Sequence, residues 1–198
     1  YMIHQPMSFS SPETEMDVMA DLVEAGKIRS VGVSNFSPDR MKRAHAALAK
    51  RGLPLAVNQV HYSLLHRQIE TNGVLAMAKD LGVTIIAYTP LANGLLSGKY
   101  HKNPQLVEQM GGFRKGRITR NIQRTRLLIA MMEEIGNAHN ASIAQVALNW
   151  LIHFNGDIVV TIPGATKSHQ ARESAGAMDF VLTAEELTRL DQASRSLQ

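Results

Sequence analysis

The stretch Ser30-Val31-Gly32-Val33-Ser34-Asn35-Phe36-Ser37-Pro38-Asp39 sets a short apolar strand directly before a helix start. Ser37 supplies a hydroxyl N-cap, Pro38 the first helical position and Asp39 an acid in the first turn, after which Met41, Ala44 and Leu48 recur at helical spacing until Gly52. The same signal stands upstream. Ser11-Pro12-Glu13 opens a run in which Met16, Met19, Leu22 and Val23 share one face, closed by Gly26, and Tyr1 to His4 reads as a strand before it.

Working downstream, Ala56-Val57-Asn58-Gln59-Val60 reads as a buried strand, Val74, Leu75, Ala78 and Leu81 as a helix face ended by Gly82, and Val83 to Ala87 as another strand. Residues 92 to about 121 are rich in Gly, Lys, Arg, Asn and Gln without clear periodicity, which predicts a long functional or mobile loop. Helices are expected from Leu127 to Gly136, from Ser142 to Phe154 and from about Ser168 to Ala177. Ile158 to Ile162 is the last strong strand, and Thr183-Ala184-Glu185-Glu186 has capping-box spacing for a final helix. Alternation of this kind favours parallel strands joined by right-handed crossovers, in a doubly wound sheet or a (β/α) barrel, with 1–198 as a single domain. No G-x-G-x-x-G follows any strand, which weakens the doubly wound dinucleotide-binding reading.

Composition narrows the class. The 198 residues are 44% hydrophobic and 19% charged, as a globular chain is, and no apolar run approaches the roughly 18 to 20 residues of a membrane span. There is no cysteine, so thiolate chemistry and disulfides are excluded, and cytoplasm is the default compartment. The net charge of +4 is mild but uneven: Arg114, Lys115, Arg117, Arg120, Arg124 and Arg126 lie together without an acid among them. Such a run suits a solvated helix approach or an anion. Phe113 is the one aromatic beside it, so nucleic-acid binding is not expected. No metal is expected, because His61 and His66 are five apart, His139 and His153 stand alone, and no H-E-x-x-H occurs.

Polar residues gather where parallel barrels place their sites, at the C-terminal ends of the strands. These are His4, Ser34-Asn35, Asn58-Gln59, Tyr88-Thr89-Pro90 and Pro163-Gly164-Ala165-Thr166-Lys167. Together, amides, hydroxyls and an imidazole suit a planar heterocycle bearing an amide, on which Tyr88 would stack. Singly, Asn35 also suits a turn, Gln59 the pairing of buried backbone, and Tyr88 core packing. Gly164, Thr166, Lys167 and Ser168 at a helix start would offer N–H groups, hydroxyls and a cation to a phosphate, or form an empty helix cap.

At these residues the sequence resembles the aldo-keto reductases over essentially its whole length. The segments that carry the resemblance are Ile3-His4-Gln5-Pro6, Gly26 through Phe36, Asn58-Gln59-Val60, Ala87 through Tyr100, and Ile162-Pro163-Gly164-Ala165-Thr166-Lys167. The resemblance implies an α/β fold, a (β/α)8 TIM-type barrel of which this chain supplies roughly the last five strands and their helices. It also implies NADP(H) as cofactor and a small carbonyl compound as substrate. By motif, His4 matches the histidine that orients the carbonyl, and Ser34, Asn35 and Gln59 match the residues that hold the nicotinamide carboxamide. Tyr88 matches the aromatic that stacks on the nicotinamide. Thr89, Pro90, Leu91, Asn93, Gly94 and Lys99, with Arg114 in addition, match the pyrophosphate loop. Gly164, Thr166, Lys167, Gln170, Glu173 and Ser174 match the 2′-phosphate and adenine end, although the family usually has asparagine where Ser174 stands.

The family's proton donor is a tyrosine served by a lysine and an aspartate, and neither Tyr62 nor Tyr100 matches its motif. The sequence therefore reads as starting in mid-barrel, and the isolated 198-residue chain is expected to be inactive, with two unpaired sheet edges. A second reading within the resemblance is a nucleotide-sensing regulatory subunit of the potassium-channel β type, since the Ser97-Gly98-Lys99-Tyr100 stretch resembles that branch as well as bacterial reductases.

Overall fold

A computed structural model describes residues 1–6 and 10–198, with the side chains of Phe113, Arg114 and Arg117 outside the described set. Five strands, β1 (Met2–Ile3), β2 (Val31–Ser34), β3 (Leu55–His61), β4 (Thr84–Tyr88) and β5 (Val159–Ile162), form one sheet in sequence order. Met2 pairs with Gly32, Ser34 with Gln59 and His61 with Tyr88, all in parallel, and Ile85 N–H donates to Ile158 O at 2.8 Å. Parallel neighbours require crossovers of a dozen or more residues, and the predicted helices supply them. Gly32 is required by close approach: a Cβ there would fall 2.5 Å from Val57 Cγ2 and 2.8 Å from Met2 Cγ.

The described residues divide into two compact units, the first comprising Tyr1–His61, Arg67–Tyr88 and Asp157–Val160, the second Tyr62–His66, Thr89–Gly156 and Thr161–Gln198. In the first unit, α1 (Pro12–Glu24), α2 (Pro38–Ala49) and α3 (Val74–Leu81) begin and end where the sequence signals them. Ser11 Oγ accepts from Thr14 N–H at 3.2 Å and Ser37 Oγ from Arg40 N–H at 3.3 Å. Met16, Met19, Met41, Ala44 and Leu48 are buried on the faces those spacings predict, with Leu22 and Val23 half-buried, and Ala20 and Val33 join them in the core. Across the exposed side of α1 and α2 runs a ladder of ion pairs. Arg43 makes a bidentate contact with Glu13 at 2.7 and 2.8 Å, Arg40 meets Glu15 at 3.3 Å, and Arg51 pairs with Asp21 at 2.8 Å and with Glu24.

The second unit departs from expectation at residues 92–121. In place of a long loop there is a 3-10 segment Ala92–Ser97, then α4 (Lys99–Lys102), α5 (Gln105–Glu108) and α6 (Gly112–Ala138), the last beginning fifteen residues before the expected Leu127. The reason is physical. Leu95, Tyr100, Val107 and Ile118 make one buried cluster, flanked by Leu65, Ala92, Met110 and Ile122, and four anchors spread over a 3-10 segment, two short helices and the start of α6 show no single period. The basic run is the first half of α6, where Arg and Lys are good helix formers, and Arg120, Arg124 and Arg126 are exposed. Farther along the chain come α7 (Ile143–His153), α8 (Ser168–Ala175) and α9 (Ala184–Arg195). Trp150 is fully buried and stacks on Phe154 with centroids 4.4 Å apart. The capping boxes Ser142–Gln145 and Thr183–Glu186 both form. Burial alone would raise the Glu186 carboxyl, but the N–H and hydroxyl of Thr183 and the His139 ring hold it below its ordinary value. No helix among the described residues is long and apolar enough to cross a membrane.

Candidate cofactor site

In the first unit, strand geometry assembles a neutral network. Residues 59 and 61 share one face of β3, being two apart, and parallel pairing brings Ser34 beside Gln59 and Tyr88 beside His61. Ser34, fully buried, donates its hydroxyl to Gln59 O at 3.0 Å, Asn35 Nδ2 donates to Ser34 Oγ at 3.1 Å, and Tyr88 Oη donates to Asn35 Oδ1 at 3.2 Å. Asn35 sits at φ 58°, a left-handed conformation that asparagine tolerates, with its N–H on Gln59 O at 2.8 Å. Buried Asn58 fixes the next residue: it donates to Phe36 O at 3.0 Å and accepts from Phe36 N–H at 3.3 Å. His4 lies just past β1 with an exposed imidazole.

The second unit holds a cleft of about 660 Å3. Three stretches far apart in sequence line it: Thr89, Pro90, Leu91, Asn93, Gly94, Ser97 and Lys99; Ala144; and Ile162, Pro163, Gly164, His169, Gln170, Glu173 and Ser174. Its first wall is a tight turn. Thr89, Ala92 and Asn93 have φ of 54°, 47° and 56°, and Gly94 has φ 87°. Gly94 N–H donates to Leu91 O at 2.9 Å, Ser97 Oγ to Gly94 O at 2.8 Å and Tyr100 Oη to Asn93 O at 3.3 Å. The exposed Lys99 ammonium lies 4.8 Å from the Tyr100 ring centroid, and a Cβ on Gly94 would come within 2.7 Å of it. No carboxylate pairs with Lys99 among the described residues.

A second wall is the start of α8. Gln170 Oε1 accepts from Thr166 N–H at 2.9 Å, Lys167 N–H at 3.1 Å and Thr166 Oγ1 at 3.2 Å, so one oxygen organises the whole turn. Glu173 accepts from Ser142 Oγ at 2.6 Å. Thr166 and Lys167 are exposed but do not line the cleft. Arg114 falls in the first turn of α6, and its side chain lies outside the described residues.

The sequence reading missed His61, Asn58 as a clamp, and His169. A signal existed for two of them. His61 is two residues beyond Gln59 on one strand face, and His169 shares a helix face with Gln170, Glu173 and Ser174. Among the described residues no three His, Asp or Glu side chains gather as metal ligands would.

The model of the aldo/keto reductase family matches residues 1–195. The chain belongs to the aldo-keto reductase family. An uncharacterised oxidoreductase of Mycobacterium tuberculosis is 38% identical over 201 residues, covering 100% of this chain and 59% of that protein. The L-glyceraldehyde 3-phosphate reductase of Escherichia coli K12 is 31% identical over 187 residues, 91% of this chain and 53% of the relative. Among solved structures, a thermostable aldo-keto reductase crystallised with the inhibitor epalrestat superposes with TM-score 0.71 at 31% identity, over 98% of this chain and 58% of that one. The fold class is thus the TIM-type barrel of these aldo-keto reductase neighbours, of which this chain contributes five parallel strands. The chain spans between half and three fifths of the length of these relatives.

Proposed function

We propose that the protein is an NADPH-dependent carbonyl reductase in which the first unit's amide network takes the nicotinamide carboxamide and the second unit's cleft takes the phosphates and adenosine. The observation that supports this best is the convergence of the Thr89–Lys99 turn and the Gly164–Ser174 segment on one cleft with an unpaired ammonium. The local geometry fits: the place a side chain on Gly94 would need is taken by the tip of Lys99, with Cε at 2.6 Å and Nζ at 2.7 Å, so the glycine lets the ammonium lie against the turn. An unpaired cation beside a backbone turn suits a phosphate.

When bound, NADPH supplies the hydride, and everything else must come from the polypeptide. Asn35 uses one N–H and one lone pair in its network, leaving a second N–H and a second lone pair for a primary amide. Gln59 offers the same capacity from the next strand. Tyr88 presents a flat ring, and His4 an imidazole to orient a carbonyl oxygen. A proton must reach that oxygen as negative charge develops. Tyr62 is fully buried with its hydroxyl accepting from Asn155 at 2.7 Å, and Tyr100 donates to Asn93 O, so both hydroxyls are committed within the fold. The donor tyrosine, lysine and aspartate of the family pattern are therefore assigned to no residue of these 198, and this stretch alone is expected to bind nucleotide without turnover. Lys167 and Arg172 beside His169 favour a 2′-phosphate, hence NADPH over NADH. The reading makes the protein a cytoplasmic enzyme acting on a small aldehyde or ketone.

Calorimetric titration of the full polypeptide with NADPH and NADH, followed by NADPH consumption with a simple aldehyde, tests this. Micromolar binding favouring NADPH, with aldehyde-dependent consumption, is the expected result; no heat with either nucleotide sinks the reading. Tight binding with negligible turnover would instead favour a nucleotide-sensing subunit.

A further inference from the structure

Beside Tyr88, which matches the family, the first unit holds a second ring, His61, for which the resemblance gives no role. His61 and Tyr88 are register partners at the ends of β3 and β4, and their rings are stacked, with centroids 5.2 Å apart and planes within 9°. Tyr88 is constrained a second time, at its hydroxyl, by Asn35. A tyrosine on a strand end ordinarily keeps its χ1 and χ2 freedom. Here an imidazole lies parallel to the ring and the hydroxyl is tied to the neighbouring turn, two contacts that restrain the plane of the phenol before any ligand arrives. His61 is half-buried on the same β3 face as Gln59, within one pleat of the amide that the proposed function gives to the carboxamide.

We infer that His61 is a positioning residue for the dinucleotide: by stacking on Tyr88 it presets the ring against which the nicotinamide lies. The inference rests on the function proposed above and adds a residue to it. Preorganisation of this kind lowers the ordering cost of binding, so its loss should weaken only ligands that carry the nicotinamide ring. The shape and flatness of the side chain at 61 should matter, and its ability to titrate should not.

The test uses full-length wild type, His61→Ala and His61→Phe, each titrated with NADPH and with 2′-phospho-ADP-ribose, which lacks the nicotinamide. His61→Ala should weaken NADPH by about threefold to tenfold, the range of an aromatic pair, and leave 2′-phospho-ADP-ribose within about twofold. His61→Phe should bind both nucleotides within about twofold of wild type and restore the fluorescence of bound NADPH that His61→Ala alters. Equal weakening of both nucleotides in His61→Ala, unchanged NADPH binding, or a His61→Phe variant as impaired as His61→Ala would overturn the inference while leaving the proposed function standing. Wild type that binds neither nucleotide overturns both.

Discussion

The amide network of the first unit and the cleft of the second are built from opposite materials. Ser34, Asn35, Gln59 and Tyr88 are neutral groups at the ends of adjacent strands, and the structure pairs the side chains of Ser34, Asn35 and Tyr88 with one another and Ser34 with the backbone carbonyl of Gln59. The cleft is walled by a left-handed turn and a helix start, and it keeps an exposed ammonium that no carboxylate meets among the described residues. A network of neutral, mutually satisfied groups can orient a ligand, because each spare lone pair or N–H points one way, but it attracts nothing from a distance. A charge on a turn attracts an anion and tolerates several orientations. On the proposed function, orientation and affinity then belong to separate parts of the chain, so substitutions should separate them too.

The largest effect is expected at Asn35, where conformation and network coincide. Asn35→Ala places alanine at φ 58° and removes two side-chain hydrogen bonds, a combined cost of about 3 kcal/mol to stability. Asn35→Gly removes the same bonds without the backbone strain and should cost about 1 kcal/mol less; urea unfolding of the two variants measures the gap, and identical midpoints would mean that the left-handed turn carries no strain. Next, Lys99→Ala should weaken NADPH about tenfold to a hundredfold, as loss of a charged hydrogen bond does, and should flatten the salt dependence of the dissociation constant. Asn35→Gly should leave that salt dependence intact. If both variants change the slope alike, the division between orientation and attraction fails.

Gly94→Ala sharpens the cleft half of the comparison. Its Cβ would displace the flexible tip of Lys99 and sit at φ 87°, so about fivefold weaker NADPH binding is expected. Because it acts through Lys99, adding it to Lys99→Ala should cost little more, and additive losses in a double-mutant cycle would mean that the two residues act separately. Lys167→Ala should reduce the preference for NADPH over NADH by about fivefold. Since Lys167 stands outside the cleft lining and His169 within it, an unchanged preference would move the 2′-phosphate role to His169.

Much of the fold was legible because its signals are local. Ser11-Pro12, Ser37-Pro38 and the Thr183 capping box need only their own neighbours, and each helix starts where they stand. The core faces of α1, α2 and α7 follow from period alone. Residues 92–121 were not legible, since Leu95, Tyr100, Val107 and Ile118 pack together only after several short helices have turned, and that arrangement is tertiary. In the candidate site, the strand-end residues could be named because strand ends can be read from the sequence, and the structure joins three of them, Ser34, Asn35 and Tyr88, by hydrogen bonds. His61 was missed because ring stacking between strands depends on register, which pairs His61 with Tyr88 and is not written in either strand by itself.

The smallest effect tests the charged part of the first unit, the ladder between α1 and α2. Hydrogen bonding to the Arg43 guanidinium, helped by the Glu13 backbone N–H and Ser11, holds the Glu13 carboxyl down at about 2, against 4.5 for a free glutamate. A depressed carboxylate contributes stability that is complete above the unfolded value and disappears as pH falls through the folded one, so the window runs from about pH 4.5 down to about pH 2. Glu13 and Arg43 each keep about two fifths of their side-chain surface open to water, and screening keeps the contribution small. Arg43→Ala should therefore melt slightly below wild type at neutral pH and low salt, and the two curves should merge near pH 2 or at high salt. A gap that survives in acid would show that Arg43 stabilises α2 by packing its stem and not by its charge. The ladder would then differ from the Lys99 ammonium in kind, since no change of salt or pH could dissolve it.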